Sequence, residues 1–257
     1  MVTSLGFRTD LALLERQGST IDEHEGYTIV RTLENPSFHW GNFLLLHDAP
    51  PQEAVESWVR TFGEVFPGAE HIALGVDATE PAVYRSPKLE CQRDTVLTAS
   101  EVHEPPRPHT EAKIRRLDGD ADWAAALELM RASANVPVNA HNLAYTRAKQ
   151  AAMRELHEAG SGAWFGAFLD GVLASGLGVF EAGNGLARFQ NVSTLASYRK
   201  RGLAGTLVHA ASRFAFDRLG AHTLVIVADP QDDAIRVYRS VGFADTETQT
   251  ALYHAPW

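Results

Sequence analysis

The chain has 257 residues, a length that accommodates two domains of ordinary size. Hydrophobic residues make up 45% of the sequence and charged residues 21%, as in globular proteins. The formal net charge of −9 argues against a nucleic-acid partner. It favours a cationic substrate only weakly, because the solubility of the protein also accounts for an acidic surface.

Cys91 is the only cysteine, which excludes an intrachain disulfide. No stretch approaches 18 consecutive apolar residues, and the N-terminal residues lack the pattern of a secretory signal peptide. We therefore expect a cytoplasmic protein without a membrane partner. None of the 11 histidines has a spacing typical of metal ligands, so that no metal site is expected.

The N-terminal half shows a faint similarity to the C-terminal end. A helix is predicted over 51–66, and the segment 68–77 that follows it is similar to 220–229. A second match, Val83-Tyr84-Arg85-Ser86 with Val237-Tyr238-Arg239-Ser240, comes in the same order. Two matches in order indicate a duplicated unit, and chance remains the alternative because both segments are short.

A proline-rich segment separates the two halves. Residues 103–112 read HEPPRPHTEA, and their three prolines disfavour helix and strand alike. We interpret this segment as an extended linker. The predicted limits are an N-terminal domain at 1–104, a linker at 105–111 and a C-terminal domain at 112–257.

The C-terminal domain has clear signals for alternating helices and strands. Asp170-Gly171 is typical of a hairpin turn, and Gly220 ends a long amphipathic helix. A meander of three strands between the helices predicts a mixed α/β fold with a partly antiparallel sheet, and argues against a doubly wound sheet. The predicted order is strand 112–117, helices 120–132 and 140–158, strands 163–169, 171–180 and 186–195, helix 203–219, strand 223–228, helix 232–241 and strand 243–253.

The segment between Val192 and Gly205 joins a predicted strand to the start of a predicted helix. Backbone N–H groups at a helix start lack intrahelical partners, and the helix dipole favours an anion there. Gly202, Ala204 and Gly205 have little or no side chain, so that a phosphate can approach the backbone closely. The segment also carries three adjacent cations, and it therefore suits a pyrophosphate: Arg199, Lys200 and Arg201.

The composition of this turn has a second interpretation. A tight strand-to-helix turn with a solvated basic face would have the same residues, because a glycine-rich loop is weak evidence by itself. The nucleotide P-loop pattern is absent. The dinucleotide-binding pattern is absent as well, because a third glycine and a downstream acidic residue are missing.

Two motifs resemble those of the GNAT acyltransferase superfamily. Arg199-Lys-Arg-Gly202-Leu-Ala204 matches the family's Arg/Gln-x-x-Gly-x-Gly/Ala, and the residues from Val192 to Tyr198 resemble its fourth strand with a bulge. Ala234-Ile-Arg-Val237-Tyr238-Arg-Ser-Val-Gly242-Phe243 matches the family's later motif. The resemblance covers residues 113–257. It implies an α/β fold of the α+β type, with a mixed, mostly antiparallel central sheet flanked by helices.

The resemblance also implies a function, namely direct transfer of an acetyl group from acetyl-CoA to an amine of a small molecule or a peptide. In the family, the pantetheine arm lies in a cleft where the sheet splays after the fourth strand. The residues that would bind the cofactor are Val192, Thr194, Arg199, Lys200, Arg201, Gly202, Leu203, Ala204 and Gly205. Tyr238 matches the tyrosine position of the family motif and is the candidate general acid, the alternative being that it only packs on the sheet or hydrogen-bonds the cofactor. The backbone N–H near Thr194 would stabilise the oxyanion.

The general base is less clearly indicated than the acid. Glu181 ends a predicted strand and is one candidate. His141 and Tyr145 share a helix face four residues apart and are candidates for the acceptor site. Asn191 and Ser193 are predicted to share one face of a strand, where they could bind substrate or water. A proton route through solvent is the alternative for all of them.

The N-terminal half lacks the basic, small-residue turn before its helix. The sequence there is Phe43-Leu-Leu-Leu-His-Asp-Ala-Pro50, and Pro81 and Pro87 interrupt the segment that corresponds to the second helix. We therefore expect a second, related domain that does not bind CoA. Three functions remain open: an N-acetyltransferase, a non-catalytic acyl-CoA sensor, or a structural protein whose turn binds nothing. An N-acetyltransferase would act as a monomer or homodimer.

Overall fold

A computed structural model describes residues 2–133 and 140–255 of the chain, with side chains over 2–133 and 143–255. The chain divides into two compact units. Unit 1 comprises Met1–Val96 and Thr246–Trp257, and unit 2 comprises Leu97–Asp245. These limits differ from the predicted domain limits, because the last strand of the chain belongs with unit 1 and the proline-rich segment belongs with unit 2.

The structure contains the predicted C-terminal elements in the predicted order. Asp170 (φ 48°) and Gly171 (φ +81°) form the hairpin turn, and Gly220 (φ +65°) ends the long helix. In chain order the elements are α1 (Leu5–Arg16), β1 (Thr20–His24), β2 (Tyr27–Arg31), β3 (Phe43–Leu46), α2 (Val55–Val65), β4 (Ile72–Val76), β5 (Glu90–Ala99), β6 (Lys113–Arg116), α3 (Gly119–Ser133), α4 (Ala140–Glu158), β7 (Gly162–Leu169), β8 (Val172–Glu181), β9 (Leu186–Thr194), α5 (Leu203–Leu219), β10 (Thr223–Ala228), α6 (Ala234–Arg239) and β11 (Ala244–His254).

Unit 2 contains a mixed sheet with strand order β10-β9-β8-β7-β6. The pairs β6–β7, β7–β8 and β8–β9 are antiparallel, and β9–β10 is parallel. Successive residues on a strand point to opposite faces. On β8, a Cβ built on Gly176 would lie 3.0 Å from Leu129 of α3, whereas Leu177 is buried with Leu207 of α5. Helices α3 and α5 therefore cover opposite faces of the sheet, and the predicted mixed α/β fold with a mostly antiparallel sheet is confirmed.

The strands of unit 1 have the order β1-β2-β3-β4-β11-β5. The pairs β1–β2 and β2–β3 are antiparallel, β3–β4 is parallel, and β11 pairs antiparallel with β4 from Thr250↔Val76 to His254↔Ile72. The run β1-β2-β3-α2-β4 thus has the same pairing pattern as β7-β8-β9-α5-β10 of unit 2. The segment that matches the later motif by sequence, Val83–Ser86, is not helical, and Tyr84 in it is buried in the unit 1 core.

Each unit encloses a separate apolar cluster. The cluster of unit 2 is formed by the α5-facing side chains of the sheet together with α5, α6 and the end of β5. The cluster of unit 1 lies between its sheet and the helices α1 and α2, and includes Phe7, Phe43 and Phe62. Among the residues that the structure describes, no helix has the length and apolar character needed to cross a membrane.

Candidate functional site

The predicted basic turn connects the end of β9 to the start of α5. A 3₁₀ turn at Ala196–Tyr198 follows the strand, and α5 then begins at Leu203. Lys200 (φ 60°) and Gly202 (φ +83°) both adopt left-handed backbone conformations, which reverse the chain into the helix. No side chain among the described residues caps this helix start. The N–H groups of the first turn are therefore left to solvent or to a ligand.

The three basic residues of the turn are exposed on the surface of unit 2. Arg199 Nε donates a 3.2 Å hydrogen bond to the carbonyl oxygen of Thr194, and the guanidinium of Arg201 lies 5.2 Å from the ring centre of Tyr198. No ion pair between described residues neutralises Arg199, Lys200 or Arg201. The turn thus presents a local positive charge next to an uncapped helix start, an arrangement that attracts anions.

The end of β9 is irregular, as the family's fourth strand is expected to be. Its register with β8 shifts between Gly176 and Gly178, and Asn191 has a positive φ of 50°. Val192 packs on the α5 side of the sheet, and Ser193 pairs with Gly176. Because the bulge interrupts the alternation of the strand at Asn191, that alternation does not establish a common face for Asn191 and Ser193.

Thr194 is held by β8. Its hydroxyl lies 2.8 Å from the hydroxyl of Ser175, which in turn lies 2.7 Å from the carbonyl oxygen of Ser193. Ser175 is fully buried. These contacts fix the backbone that leads directly into the basic turn, where the sequence predicted an N–H group for the oxyanion.

Tyr238 lies on α6 and is 5% exposed, packed within the unit 2 core. Its neighbour Val237 would lie 3.7 Å from a Cβ built on Gly205, which places α6 beside the first turn of α5. Burial raises the pKa of the Tyr238 phenol, and the charge of Asp232 adds to this rise. The phenol is therefore protonated at neutral pH, so that its O–H can donate a hydrogen bond.

The structure does not bring Glu181 to the turn. It lies at the end of β8 and pairs with Ala187 near the start of β9, whereas Thr194 ends β9 and pairs with Ser175. Seven residues of strand separate the two positions, which is about 23 Å at a rise of about 3.3 Å per residue. Glu181 is therefore remote from any ligand at the start of α5, and a base role at that position has no geometric support.

The other acceptor-side candidates lie on α4. Tyr145 is half-buried, with the ammonium of Lys149 6.0 Å from its ring centre. The backbone of His141 belongs to α4, but its side chain lies outside the described residues. Within the described part of the chain, no group of three or more histidine, cysteine, aspartate or glutamate side chains is placed to hold a metal ion.

The proline-rich segment, interpreted from sequence as a linker, contacts the turn directly. A Cβ built on Gly202 would lie 2.1 Å from the carbonyl oxygen of Arg107, and one built on Gly205 would lie 3.0 Å from Pro105. The N–H of His109 donates a 2.8 Å hydrogen bond to the hydroxyl of Thr206. Sequence reasoning missed these contacts, because no local pattern signals an association between residues about a hundred positions apart.

Residues 123–243 match the model of a protein family described as "Acetyltransferase (GNAT) family". The match includes the basic turn, all of α5 and Tyr238. A comparison with curated proteins found no match.

Several solved structures share the fold over nearly the whole chain. A GCN5-related N-acetyltransferase from Kribbella flavida is 16% identical, with coverage of 99% of this chain and 98% of that protein and a TM-score of 0.67. A GCN5-related N-acetyltransferase from Sphaerobacter thermophilus is 15% identical, with coverage of 98% and 94% and a TM-score of 0.57. A tandem GNAT protein from the clavulanic acid biosynthesis pathway is 12% identical, with coverage of 97% and 88% and a TM-score of 0.58. The chain therefore has the fold of GNAT proteins, and residues 123–243 have the sequence features of the GNAT acetyltransferase family.

Proposed function

We propose that the protein is an acyl-CoA-dependent N-acetyltransferase that transfers the acetyl group of acetyl-CoA to an amine of a small molecule or a peptide. The observation that carries this proposal is the uncapped start of α5, with Gly202 before it and three exposed cations beside it. This turn lies inside the region that matches the acetyltransferase family. An anion that binds there gains both the free N–H groups and the positive end of the helix dipole.

The turn fits the pyrophosphate of CoA in shape as well as in charge. Leu203 is buried in the core, so that it anchors the helix start and leaves its backbone N–H available. Ala204 is small and half-exposed, and no large side chain in the first turn covers the helix end. The N–H groups of Leu203, Ala204 and Gly205 would hold the pyrophosphate, with Arg199, Lys200 and Arg201 around it.

The reaction needs an electrophilic carbonyl, a neutral amine and a leaving thiol. The amine nitrogen attacks the thioester carbonyl carbon, the carbon–sulfur bond breaks, and the sulfur leaves with the electron pair. A backbone N–H at the end of β9, next to Val192 and Thr194, would donate to the oxyanion that forms in between. Ser175 supports this by fixing the backbone at Ser193 and Thr194.

Tyr238 is proposed to act on the leaving sulfur. A thiolate has a pKa near ~8.5 by analogy with cysteine, and a phenol starts near ~10. Because burial raises the pKa of Tyr238 further, complete proton transfer from the phenol to the sulfur is uphill. A hydrogen bond from the phenol to the developing thiolate remains favourable, since it is assisted by the negative charge.

The amine must lose its proton to solvent or to a group on the acceptor side. An aliphatic ammonium has a pKa near ~10, so that about one molecule in a thousand is neutral at pH 7. Asn191, Ser193, Tyr145 and His141 remain proposals for this side of the site, as substrate or water ligands. A cytoplasmic location, and activity as a monomer or homodimer, also remain proposals.

Unit 1 is proposed to be a degenerate copy that does not bind CoA. It repeats the strand pairing of β7-β8-β9-α5-β10, but the segment between β3 and α2 contains two prolines and no glycine, lysine or arginine. The similarity to a tandem GNAT protein supports a tandem arrangement. The phosphate-binding turn would then be present once, in unit 2.

A second candidate function is a non-catalytic acyl-CoA sensor. It is favoured by one observation: the candidate acid Tyr238 is a buried phenol with a raised pKa, and the candidate base Glu181 is remote from the turn. Release of free thiol from acetyl-CoA, measured over a panel of primary amines, separates the two. A sensor would bind acetyl-CoA and release no thiol above the rate without protein.

A thermal-shift titration with acetyl-CoA tests the site itself. A ligand that binds only the native state stabilises it by about 2.7 kcal/mol at a hundredfold excess over Kd. Ala204→Glu puts a carboxylate into the first turn, where the dipole tolerates it but a phosphate is repelled. Ala210→Glu, about two turns further along α5, is the matched control.

The wild type and Ala210→Glu should both show a melting temperature that rises with acetyl-CoA concentration. Ala204→Glu should have a normal melting temperature without ligand and no rise with it. A wild type without any shift at millimolar acetyl-CoA would overturn the proposed function.

A further inference from the structure

The proline-rich segment between β5 and β6 is packed along the start of α5. Pro105 is buried, and a Cβ built on Gly205 would lie 3.0 Å from its side chain. At the next contact, a Cβ built on Gly202 would lie 2.1 Å from the carbonyl oxygen of Arg107 and 3.2 Å from its carbonyl carbon. The packing of this segment thus requires small residues at positions 202 and 205, in addition to any requirement of a bound phosphate.

A hydrogen-bond chain fixes this segment to the first turn of the helix. The N–H of His109 donates to Thr206 Oγ1 at 2.8 Å, and Thr206 Oγ1 donates to the carbonyl oxygen of Gly202 at 3.0 Å. His109 Nδ1 accepts a 3.2 Å hydrogen bond from the N–H of Ala112. The backbone around Arg107 therefore has a defined position beside the uncapped end of α5.

Arg107 is exposed at this position, and no ion pair between described residues involves it. Its acidic neighbours along the chain, Glu104 and Glu111, are exposed as well. The first three residues of a helix rise about 4.5 Å, so the free N–H groups of α5 lie within reach of a long arginine side chain anchored beside Gly202. Its charge would add to the positive charge of Arg199, Lys200 and Arg201.

We propose that Arg107, from outside the family's sequence motifs, binds a phosphate of CoA and completes the anion site at the start of α5. This inference rests on the proposed function, because it assigns one more residue to the same ligand. Four neighbouring cations repel one another unless an anion lies between them. CoA has two anionic groups that could do so, the pyrophosphate and the 3′-phosphate. A guanidinium binds phosphate through two parallel hydrogen bonds, which gives Arg107 a role that lysine fills only in part.

The test is a calorimetric titration of the full chain with acetyl-CoA and with its analogue that lacks the 3′-phosphate. Arg107→Ala should raise the Kd for acetyl-CoA by about tenfold, the effect of losing a solvent-exposed, charge-assisted contact between guanidinium and phosphate. Arg218→Ala removes the same charge at the opposite end of α5 and is the matched control, expected to change the Kd less than twofold. Arg107→Lys should fall between the wild type and Arg107→Ala.

A comparison of acetyl-CoA with the analogue that lacks the 3′-phosphate shows which phosphate Arg107 binds. If Arg107 binds the 3′-phosphate, wild type and Arg107→Ala bind the truncated analogue equally. If it binds the pyrophosphate, the tenfold difference persists. Each result supports the proposal.

A second pair of variants tests the anchoring of the segment. Thr206→Val keeps the shape of the side chain but removes the hydroxyl between His109 and Gly202, and should weaken acetyl-CoA binding. Thr206→Ser should restore it. If Arg107→Ala binds acetyl-CoA as tightly as Arg218→Ala and the wild type, the inference is overturned and the proposed function survives. If the wild type binds no acetyl-CoA, both are overturned.

Discussion

The hydroxyl of Ser175 lies 2.8 Å from that of Thr194 and joins the middle of β8 to the last residue of β9. Ser175 also bonds the carbonyl oxygen of Ser193 at 2.7 Å, so that its hydrogen is donated there and Thr194 donates to Ser175. The hydrogen bonds therefore run in one direction, from the Thr194 hydroxyl to the Ser175 hydroxyl and from there to the carbonyl oxygen of Ser193. It holds the strand end from which the candidate anion turn departs.

A double-mutant cycle at Ser175 and Thr194 should show coupling. Ser175→Ala removes two buried hydrogen bonds and should cost about 1–3 kcal/mol of unfolding free energy, whereas Thr194→Val removes one and should cost about 0.5–1.5 kcal/mol. The double variant should cost less than the sum, because the shared hydrogen bond is lost only once. Chemical denaturation of the four proteins measures the coupling. Strict additivity would show that the two hydroxyls do not interact.

Gly202 and Gly220 make a natural pair for testing the turn, because they stand at the two ends of α5 with positive φ of 83° and 65°. An alanine in the left-handed region costs about 1–2 kcal/mol. A Cβ on Gly220 would meet nothing within 4 Å, whereas one on Gly202 would collide with the carbonyl of Arg107. Gly220→Ala should therefore lose stability only through the backbone strain of an alanine at positive φ.

Gly202→Ala should be destabilised by more than Gly220→Ala and should also lose acetyl-CoA affinity, since it displaces the segment around Arg107. Thermal denaturation gives the first quantity, and a calorimetric titration gives the second. Equal losses of stability in the two variants would show that the contact between Gly202 and Arg107 is not maintained in solution.

Tyr238→Phe separates a chemical role of the phenol from its packing role. The ring is buried in the unit 2 core, and phenylalanine retains it, so that the unfolding free energy should change by less than about 1.5 kcal/mol, the cost of one hydrogen bond. Thiol release at saturating acetyl-CoA should fall by about tenfold or more, because a hydrogen bond to a charged group such as the developing thiolate contributes about 1.5–3 kcal/mol. The Kd for acetyl-CoA should be nearly unchanged. An unchanged rate of thiol release would assign Tyr238 to packing alone.

Local sequence patterns predicted the core of unit 2 well. Helix α5 has the predicted limits because Gly202 and Gly220 interrupt the apolar periodicity at both ends, and β10 is a continuous apolar run. α6 is shorter than predicted: it begins at Ala234 and ends at Arg239. Helix α1 and the strands β1–β3 were not assigned from sequence, although α1 buries apolar residues at helical spacing.

Local sequence patterns could not predict which residues that are distant in sequence lie close together or far apart in the fold. Glu181 is the last residue of β8, but only the antiparallel register of β8 with β9 shows that this strand end lies away from the turn. The prolines near Arg107 correctly excluded regular structure, yet the same segment fits against Gly202 and is not a free linker. Both outcomes depend on residues that are distant in sequence, and neither leaves a periodic signal.

His157 provides a prediction about pH. Its Nδ1 accepts a 3.0 Å hydrogen bond from the backbone N–H of Trp164, which requires the neutral ring. Burial lowers the pKa of His157, and the charge of Arg116 lowers it further. An unfolded histidine titrates near ~6.5. Its contribution to stability is therefore complete above that pH and is lost as the pH falls toward the folded-state value, because the unfolded chain takes up the proton first.

His157→Asn keeps a side-chain acceptor near Trp164 and removes the titration. Unfolding free energies measured from pH 8 to pH 5 should fall less steeply for this variant than for the wild type, by at most about 1.4 kcal/mol per pH unit. Some slope should remain, because burial lowers the pKa of His71 in unit 1 as well. Parallel curves for the two proteins would mean that His157 is protonated as easily in the folded chain as in the unfolded one, and that its bond to Trp164 does not restrict it to the neutral form.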